Sequence, residues 1–277
     1  MRVVIERLSK TYTDRRGRAV EALAGVSLNV DAQEFVALLG PSGCGKSTLL
    51  AVLAGLTPPT AGRVYFEDPP PGRPLTAMVF QEFALFPWRT VQGNVEFGLE
   101  ELGVPRQERA RRARGLIETL GLRGFETRYP HQLSGGMRQR VGLARALAVD
   151  PAVLLMDEPF SALDALTRGT LQEEVNRIVA ETKLTAFMIT HDVDEAILLA
   201  DRILLMTNGP QAKIAEVVVN TLPRPRTRHD VHHLPGYYDL RNHIIDFLVD
   251  RSKRLARTMP PEWNPRRVPE VRPALAA

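Results

Sequence analysis

Gly40-Pro41-Ser42-Gly43-Cys44-Gly45-Lys46-Ser47-Thr48 lies between two apolar runs, Phe35-Val36-Ala37-Leu38-Leu39 before it and Thr48-Leu49-Leu50-Ala51-Val52-Leu53-Ala54 after it. The first run is short, apolar and closed by glycine, as a buried strand is, and the second predicts a helix from Thr48. Strand, glycine loop and helix in that order read as a nucleotide triphosphate site. The glycines let the loop turn its backbone N–H groups inward around phosphate oxygens. The helix N-terminus adds the positive end of its dipole, and Lys46 reaches the β- and γ-phosphates. Ser47 supplies a hydroxyl for Mg²⁺. A glycine-rich turn that only happened to match the spacing would not need both flanks. The loop alone does not say what the energy is used for.

Outward from the loop, residues 1 to 30 alternate in a β manner, as in Arg2-Val3-Val4-Ile5 and Val26-Ser27-Leu28-Asn29-Val30, with the turn Asp14-Arg15-Arg16-Gly17 between them. They predict an antiparallel flap. The later runs Val153-Leu154-Leu155-Met156 and Ala186-Phe187-Met188-Ile189 lack polar alternation, which predicts strands buried on both faces of a mainly parallel sheet. Between about Leu85 and Val149 the pattern is helical, including Arg106 to Leu120 and Gly136 to Ala148, so a helical subdomain is expected there. After Asn208-Gly209-Pro210 a short β-like segment and a helix over Tyr237 to Arg254 are expected, in an extension covering 211–258. The proline-rich remainder, 259–277, reads as a flexible tail.

A chain of 277 residues with 44% hydrophobic residues can bury a full core. Lys and Arg number 36 against 32 Asp and Glu, a net charge of +4, with the excess in arginine-rich stretches such as Arg106 to Arg114 and Arg224 to Arg228. Solvated helix faces and a basic tail near an anionic membrane account for these charges, so no nucleic-acid partner is expected. Met1 to Arg7 lacks the apolar core of a secretion signal, and no stretch approaches the ~20 apolar residues of a membrane span. The expectation is a soluble, intracellular chain that reaches a membrane only through a partner. The single cysteine, Cys44, forms no intrachain disulfide. Beside a helix N-terminus it is expected to have enhanced thiolate character and to be protected by bound Mg-ATP.

Further motifs join the loop. Leu133-Ser134-Gly135-Gly136-Met137-Arg138-Gln139-Arg140 opens an amphipathic helix. Ser134 can offer its hydroxyl to a phosphate oxygen or simply cap the helix, while Gly135 and Gly136 let backbone amides approach an anion closely. Val153 to Met156 runs into Asp157-Glu158-Pro159, where Asp157 is suited to organising Mg²⁺ hydration and Glu158 to polarising an attacking water. Ile189-Thr190-His191-Asp192 ends another apolar run, and His191 can donate to a γ-phosphate. Val79-Phe80-Gln81 ends a further strand, offering an amide to Mg²⁺ or water.

In this order the set resembles the ATPase subunit of an ATP-binding cassette (ABC) transporter over roughly the first 210 residues. The resemblance implies an α/β P-loop NTPase fold with a mainly parallel sheet, an N-terminal antiparallel β flap and an inserted helical subdomain. It makes Gly40 to Thr48 the Walker A motif, Leu133 to Gly136 the signature, Asp157 and Glu158 Walker B, and Gln81 the Q-loop. Ser161-Ala162-Leu163-Asp164 matches the D-loop and His191 the switch histidine, and Tyr12 falls where the family stacks an aromatic on adenine. The resemblance further implies ATP and Mg²⁺ as ligands. It also implies a head-to-tail pair of ATPase subunits, homo- or heterodimeric, in which each signature caps the ATP of the other.

The same resemblance implies an importer: a subunit at the cytoplasmic face of a bacterial membrane, with separate permease subunits and an extracytoplasmic substrate-binding protein. Phe86, Pro87 and Trp88, in the aromatic run after Gln81, would line the groove that receives a short permease helix. The core resembles the nitrate, sulfonate and taurine group. Met206 to Pro210, Arg224-Pro225-Arg226 and Tyr237 to Asn242 narrow it toward the nitrate, bicarbonate and cyanate branch. A sulfonate or taurine importer is the alternative. A small-molecule kinase does not require the Ser134 helix, and a repair or translation cassette would show a coiled-coil insertion or a second cassette.

Overall fold

In the computed structural model, which describes residues 1–251 and 268–272, the chain divides into two compact units, Met1–Pro69 with Thr185–Ala277, and Pro70–Leu184. The first unit begins with β1 (Arg2–Thr13), β2 (Ala19–Val30), β3 (Phe35–Leu39), α1 (Lys46–Leu53) and β4 (Ala61–Glu67). The second holds β5 (Thr76–Val79), α2 (Val91–Glu101), α3 (Arg106–Thr119), α4 (Gly135–Ala148), β6 (Val153–Asp157) and α5 (Ala165–Thr182). The chain then returns to the first unit with β7 (Thr185–Ile189), α6 (Val193–Leu199), β8 (Arg202–Met206), β9 (Ile214–Val219), α7 (Tyr237–Asp246) and β10 (Glu270–Val271).

In the first unit, β1 pairs antiparallel with both β2 and β4, forming the expected flap. Its turn closes where Asp14 N donates to Arg18 O at 2.9 Å and the Asp14 carboxylate accepts from Arg16 N at 2.8 Å. β3 lies parallel between β7 and β8, and every residue of β3 and β7 is buried, as their unbroken apolar runs require. β9 joins β8 antiparallel, so the sheet is mixed at this edge. Of the tail expected at 259–277, residues 268–272 are described, and Glu270–Val271 add a strand parallel to β9; the rest lies outside the described residues. The helix expected to Arg254 is regular to Asp246 and continues as a π-turn through Arg251, beyond which it too leaves the described residues.

In the second unit, β5 and β6 pair in parallel. The helical region is α2, α3 and α4, packed on buried Val95, Leu99, Ala113, Ile117, Val141 and Ala144. The arginine-rich α3 is a solvated face as expected: Arg111 and Arg112 each meet Glu108 at 2.7 Å. The basic stretch near Arg224 differs. Arg226 is only 3% exposed and bonds the Ile197 and Ala200 carbonyls, so burial at a helix end, rather than a membrane-facing tail, accounts for that charge. Among the described residues no helix is long and apolar enough to cross a membrane.

Candidate functional site

The phosphate loop is shaped by its glycines and closed by its lysine. α1 begins at Lys46, two positions before the expected Thr48, because Gly45 sits at φ 96° and ψ 10° and turns the chain into the helix. An L side chain there would be strained, and its Cβ would stand 3.0 Å from Leu23 Cδ2 and 3.1 Å from the Ala22 carbonyl. Cys44 N donates to Pro41 O at 3.3 Å, completing the turn over Ser42 and Gly43. Lys46 is buried, with Nζ donating to the carbonyls of Gly40 at 2.8 Å and Pro41 at 3.1 Å, so its ammonium lies inside the curve of the loop. Ser47 is exposed on the first turn. Gly209 backs the loop so closely that a Cβ there would meet the Gly43 carbonyl at 2.9 Å.

Cys44 corrects the sequence expectation. It is 1% exposed, and burial pushes its thiol above the ordinary value, against the opposing pull of the Lys46 charge and a backbone bond. It is a core side chain, enclosed by the protein rather than open to the loop's surface.

Two more predicted residues belong to the first unit. Tyr12 is 43% exposed on the flap, with Lys10 Nζ over its ring at 5.1 Å from the centroid. His191 is exposed at the end of β7 between two bonded neighbours. Asp192 N donates to Thr190 Oγ1 at 3.0 Å, and the Asp192 carboxylate caps α6 by accepting from Asp194 N at 2.9 Å and Glu195 N at 3.1 Å.

The second unit brings Gln81 and Glu158 together: Gln81 Nε2 donates to Glu158 Oε2 at 3.0 Å. Glu158 follows Asp157 at the end of β6 and has φ 46°, a left-handed backbone that costs a non-glycine residue about 1–3 kcal/mol. Ser161 holds it, donating to the Glu158 carbonyl from N at 3.2 Å and from Oγ at 3.0 Å. Ser134 is the N-cap of α4, accepting from Met137 N at 3.3 Å. Gly136 has a packing reason beyond amide approach: a Cβ there would lie 2.4 Å from Thr167 Cγ2 at the start of α5. Asp164, the last residue of the D-loop, caps α5 through Leu166 N and Thr167 N at 3.1 and 3.0 Å, and its bonds to Thr167 hold its carboxyl below the usual range.

The aromatic run is anchored by Asn94, which is fully buried. Its Oδ1 accepts from Phe86 N at 2.8 Å, and its Nδ2 donates to the carbonyls of Phe86, Arg89 and Thr90. Phe86 packs on Phe97 at 4.5 Å between centroids, while Trp88 stands 72% exposed. Sequence reasoning missed Asn94 and Arg145. Arg145 donates to the Ala84 and Phe83 carbonyls, at 2.6 and 3.2 Å, where both residues have positive φ. Nothing local in the sequence marks either, because each serves backbone groups of a loop distant along the chain or irregular in form.

The family profile described as ABC transporter matches residues 23–161, a span that includes the loop, Gln81, the Ser134 helix start and Asp157–Glu158. A nitrate import ATP-binding protein, NrtC of Synechococcus elongatus, is 49% identical over 84% of this chain and 36% of its own length. The chain thus spans little more than a third of that relative. A bicarbonate transport ATP-binding protein, CmpD of a Synechocystis species, is 43% identical over 90% of this chain and 89% of its own. Among solved structures, a dimeric post-hydrolysis state of the ATP-binding cassette MJ0796 bound to ADP and Pi has a TM-score of 0.70 at 33% identity, covering 79% of this chain and 98% of that one. With the loop, Gln81, the Ser134 helix start and Asp157–Glu158 inside the profile, and most of its length aligned to such relatives, the chain belongs to the ABC transporter family.

Proposed function

We propose that this chain is an ATPase subunit that powers import of a small inorganic anion, nitrate or bicarbonate, through a membrane permease, and that it works peripherally at the cytoplasmic face. The observation that carries the reading is the match along most of the chain to relatives named for nitrate import and bicarbonate transport. The loop supports the ATP half of it. Its inward lysine and the α1 N-terminus form a cationic cradle of the kind that phosphates occupy.

In this reading the loop amides and Lys46 hold the β- and γ-phosphates, Tyr12 stacks on the adenine, and His191 donates to the γ-phosphate. Glu158 takes a proton from the attacking water, and the Gln81 amide keeps its carboxylate oriented. Ser47, Asp157 and the Gln81 amide oxygen are hard donors of the sort Mg²⁺ accepts, and the ion would neutralise phosphate charge there. Ser134, Gly135 and Gly136 of a second ATPase subunit would close the site, a pairing supported by the dimer named for the MJ0796 cassette. The exposed Trp88 edge of the Asn94-anchored loop fits a permease helix, because aromatics held rigidly at a surface favour a partner. A substrate-binding protein outside the membrane would deliver the anion.

Glu158→Gln tests the chemistry. It should bind ATP, trap the closed dimer and slow hydrolysis by about 10²- to 10⁴-fold, the worth of a positioned base. Normal turnover would overturn the assignment. Transport of nitrate, bicarbonate, cyanate and taurine by the chain reconstituted with its permease tests the substrate class.

A further inference from the structure

The helix α6 is only seven residues long, yet residues of the extension hold it at both ends. A helix leaves its last carbonyls without intrahelical donors, and here the donors come from the chain after β9. Asn220 Nδ2 donates to the Ile197 and Ala200 carbonyls at 2.8 and 2.9 Å. Arg226 donates to the same two at 2.9 and 2.7 Å, and Arg224 donates to the Leu199 carbonyl at 2.8 Å. At the opposite end, Asp194 Oδ1 accepts from Tyr237 Oη at 2.7 Å and from Arg241 Nε at 2.8 Å, both on α7. Tyr237 is buried to 1% exposure. Desolvating a guanidinium is costly, and burial lowers the Arg226 pKa to about 10, so this grip is expensive for so short a helix unless its position matters.

What α6 positions is the loop that precedes it. Asp192 caps its first turn, and buried Thr190 donates through Oγ1 to buried Glu195 at 2.6 Å. The residues on both sides of His191 are therefore bonded to the start of α6. A shift of α6 carries the His191 backbone with it.

We infer that the extension acts as a clamp, in which Arg226, Tyr237 and Arg241 are positioning residues that fix His191 through α6. The inference rests on the reading of His191 as a γ-phosphate ligand. Loosening the clamp leaves the phosphate loop intact, so ATP binding persists while the hydrolytic step slows.

The test uses the full chain with Mg-ATP, comparing Arg241→Gln and Asp194→Asn, both at partly exposed positions, alone and combined with His191→Ala. Each single clamp variant should lower kcat about tenfold with KM for ATP held within about twofold, and Arg241→Lys should recover part of the loss. In the His191→Ala background the same substitutions should cause no further loss, a non-additivity that a merely structural role would not produce. Full additivity, or a loss carried by KM, overturns the clamp. So does normal kcat in both clamp variants when His191→Ala is slow, which leaves the reading of His191 standing. Unchanged hydrolysis in His191→Ala removes that reading and the clamp with it.

Discussion

Two helix N-termini in this chain, at α1 and at α4, are both rich in glycine, yet their glycines answer different demands. At α1 the demand is on the backbone: Gly45 takes φ 96° as the N-cap, no side chain caps the helix, and a Cβ there would stand only 3.1 Å from the Ala22 carbonyl. At α4 the backbone is ordinary helix, Ser134 caps it through Met137 N, and Gly136 is small because Thr167 occupies the space beside it. The shared glycines thus conceal a conformational requirement in one place and a packing requirement in the other.

The largest break is expected at Gly45→Ala. Strain at positive φ and the backbone contact together cost about 1–3 kcal/mol, which if taken from the nucleotide-bound form lowers ATP affinity by up to about 100-fold. Adding Leu23→Ala should not restore binding, since the φ angle and the Ala22 carbonyl remain; recovery would show that the restriction is side-chain packing after all. Titration with ATP reads both outcomes.

Gly136→Ala should be milder and repairable. Alanine is favoured in a helix by about 1 kcal/mol, but the overlap with Thr167 Cγ2 works against it by about 1–3 kcal/mol. Thr167→Ser removes that methyl while keeping the hydroxyl that bonds Asp164. The double variant should therefore regain the thermal midpoint lost by Gly136→Ala. A single variant as stable as the parent, or a double variant no better than the single, would break the distinction between the two glycines.

How much of this was legible follows from the kind of interaction involved. β3, β6 and β7 declare themselves because strands buried on both faces must be apolar throughout, and Gly and Pro punctuate the chain around them. Phosphate and water chemistry restrict the residue types a site can use, which makes candidates readable, and the structure brings two of them, Gln81 and Glu158, into contact. The start of α1 was misplaced by two residues because a glycine cap has no side chain to announce it. Arg224 and Arg226 were unreadable for a different reason. Their partners are backbone carbonyls of α6 more than twenty positions earlier, and charge pattern carries no information about which distant carbonyls lack donors.

Ser134 separates two roles within α4. Ser134→Ala removes the cap and should cost about 1 kcal/mol of stability, seen as a lower thermal midpoint and faster exchange of the Met137 amide. Ser134→Asp keeps a capping oxygen and should hold stability, but its charge would oppose a partner's γ-phosphate, so ATP-driven dimerisation should be lost. Dimerisation by Ser134→Asp as strong as the parent's would confine Ser134 to capping.

The smallest change is expected at Cys44, and its smallness decides between two forces. Proximity to a helix N-terminus favours an anion by about 0.3–1 kcal/mol, and Lys46 pulls the same way, whereas enclosing a thiolate in apolar surroundings costs several times more. Burial wins, so iodoacetamide at neutral pH should label the folded chain far more slowly than the unfolded chain. Mg-ATP should make little difference, because the side chain is already covered by the protein itself. Rapid labelling that nucleotide suppresses would instead show the thiol open to the phosphate site. The α1 terminus would then act on side chains as well as on phosphate.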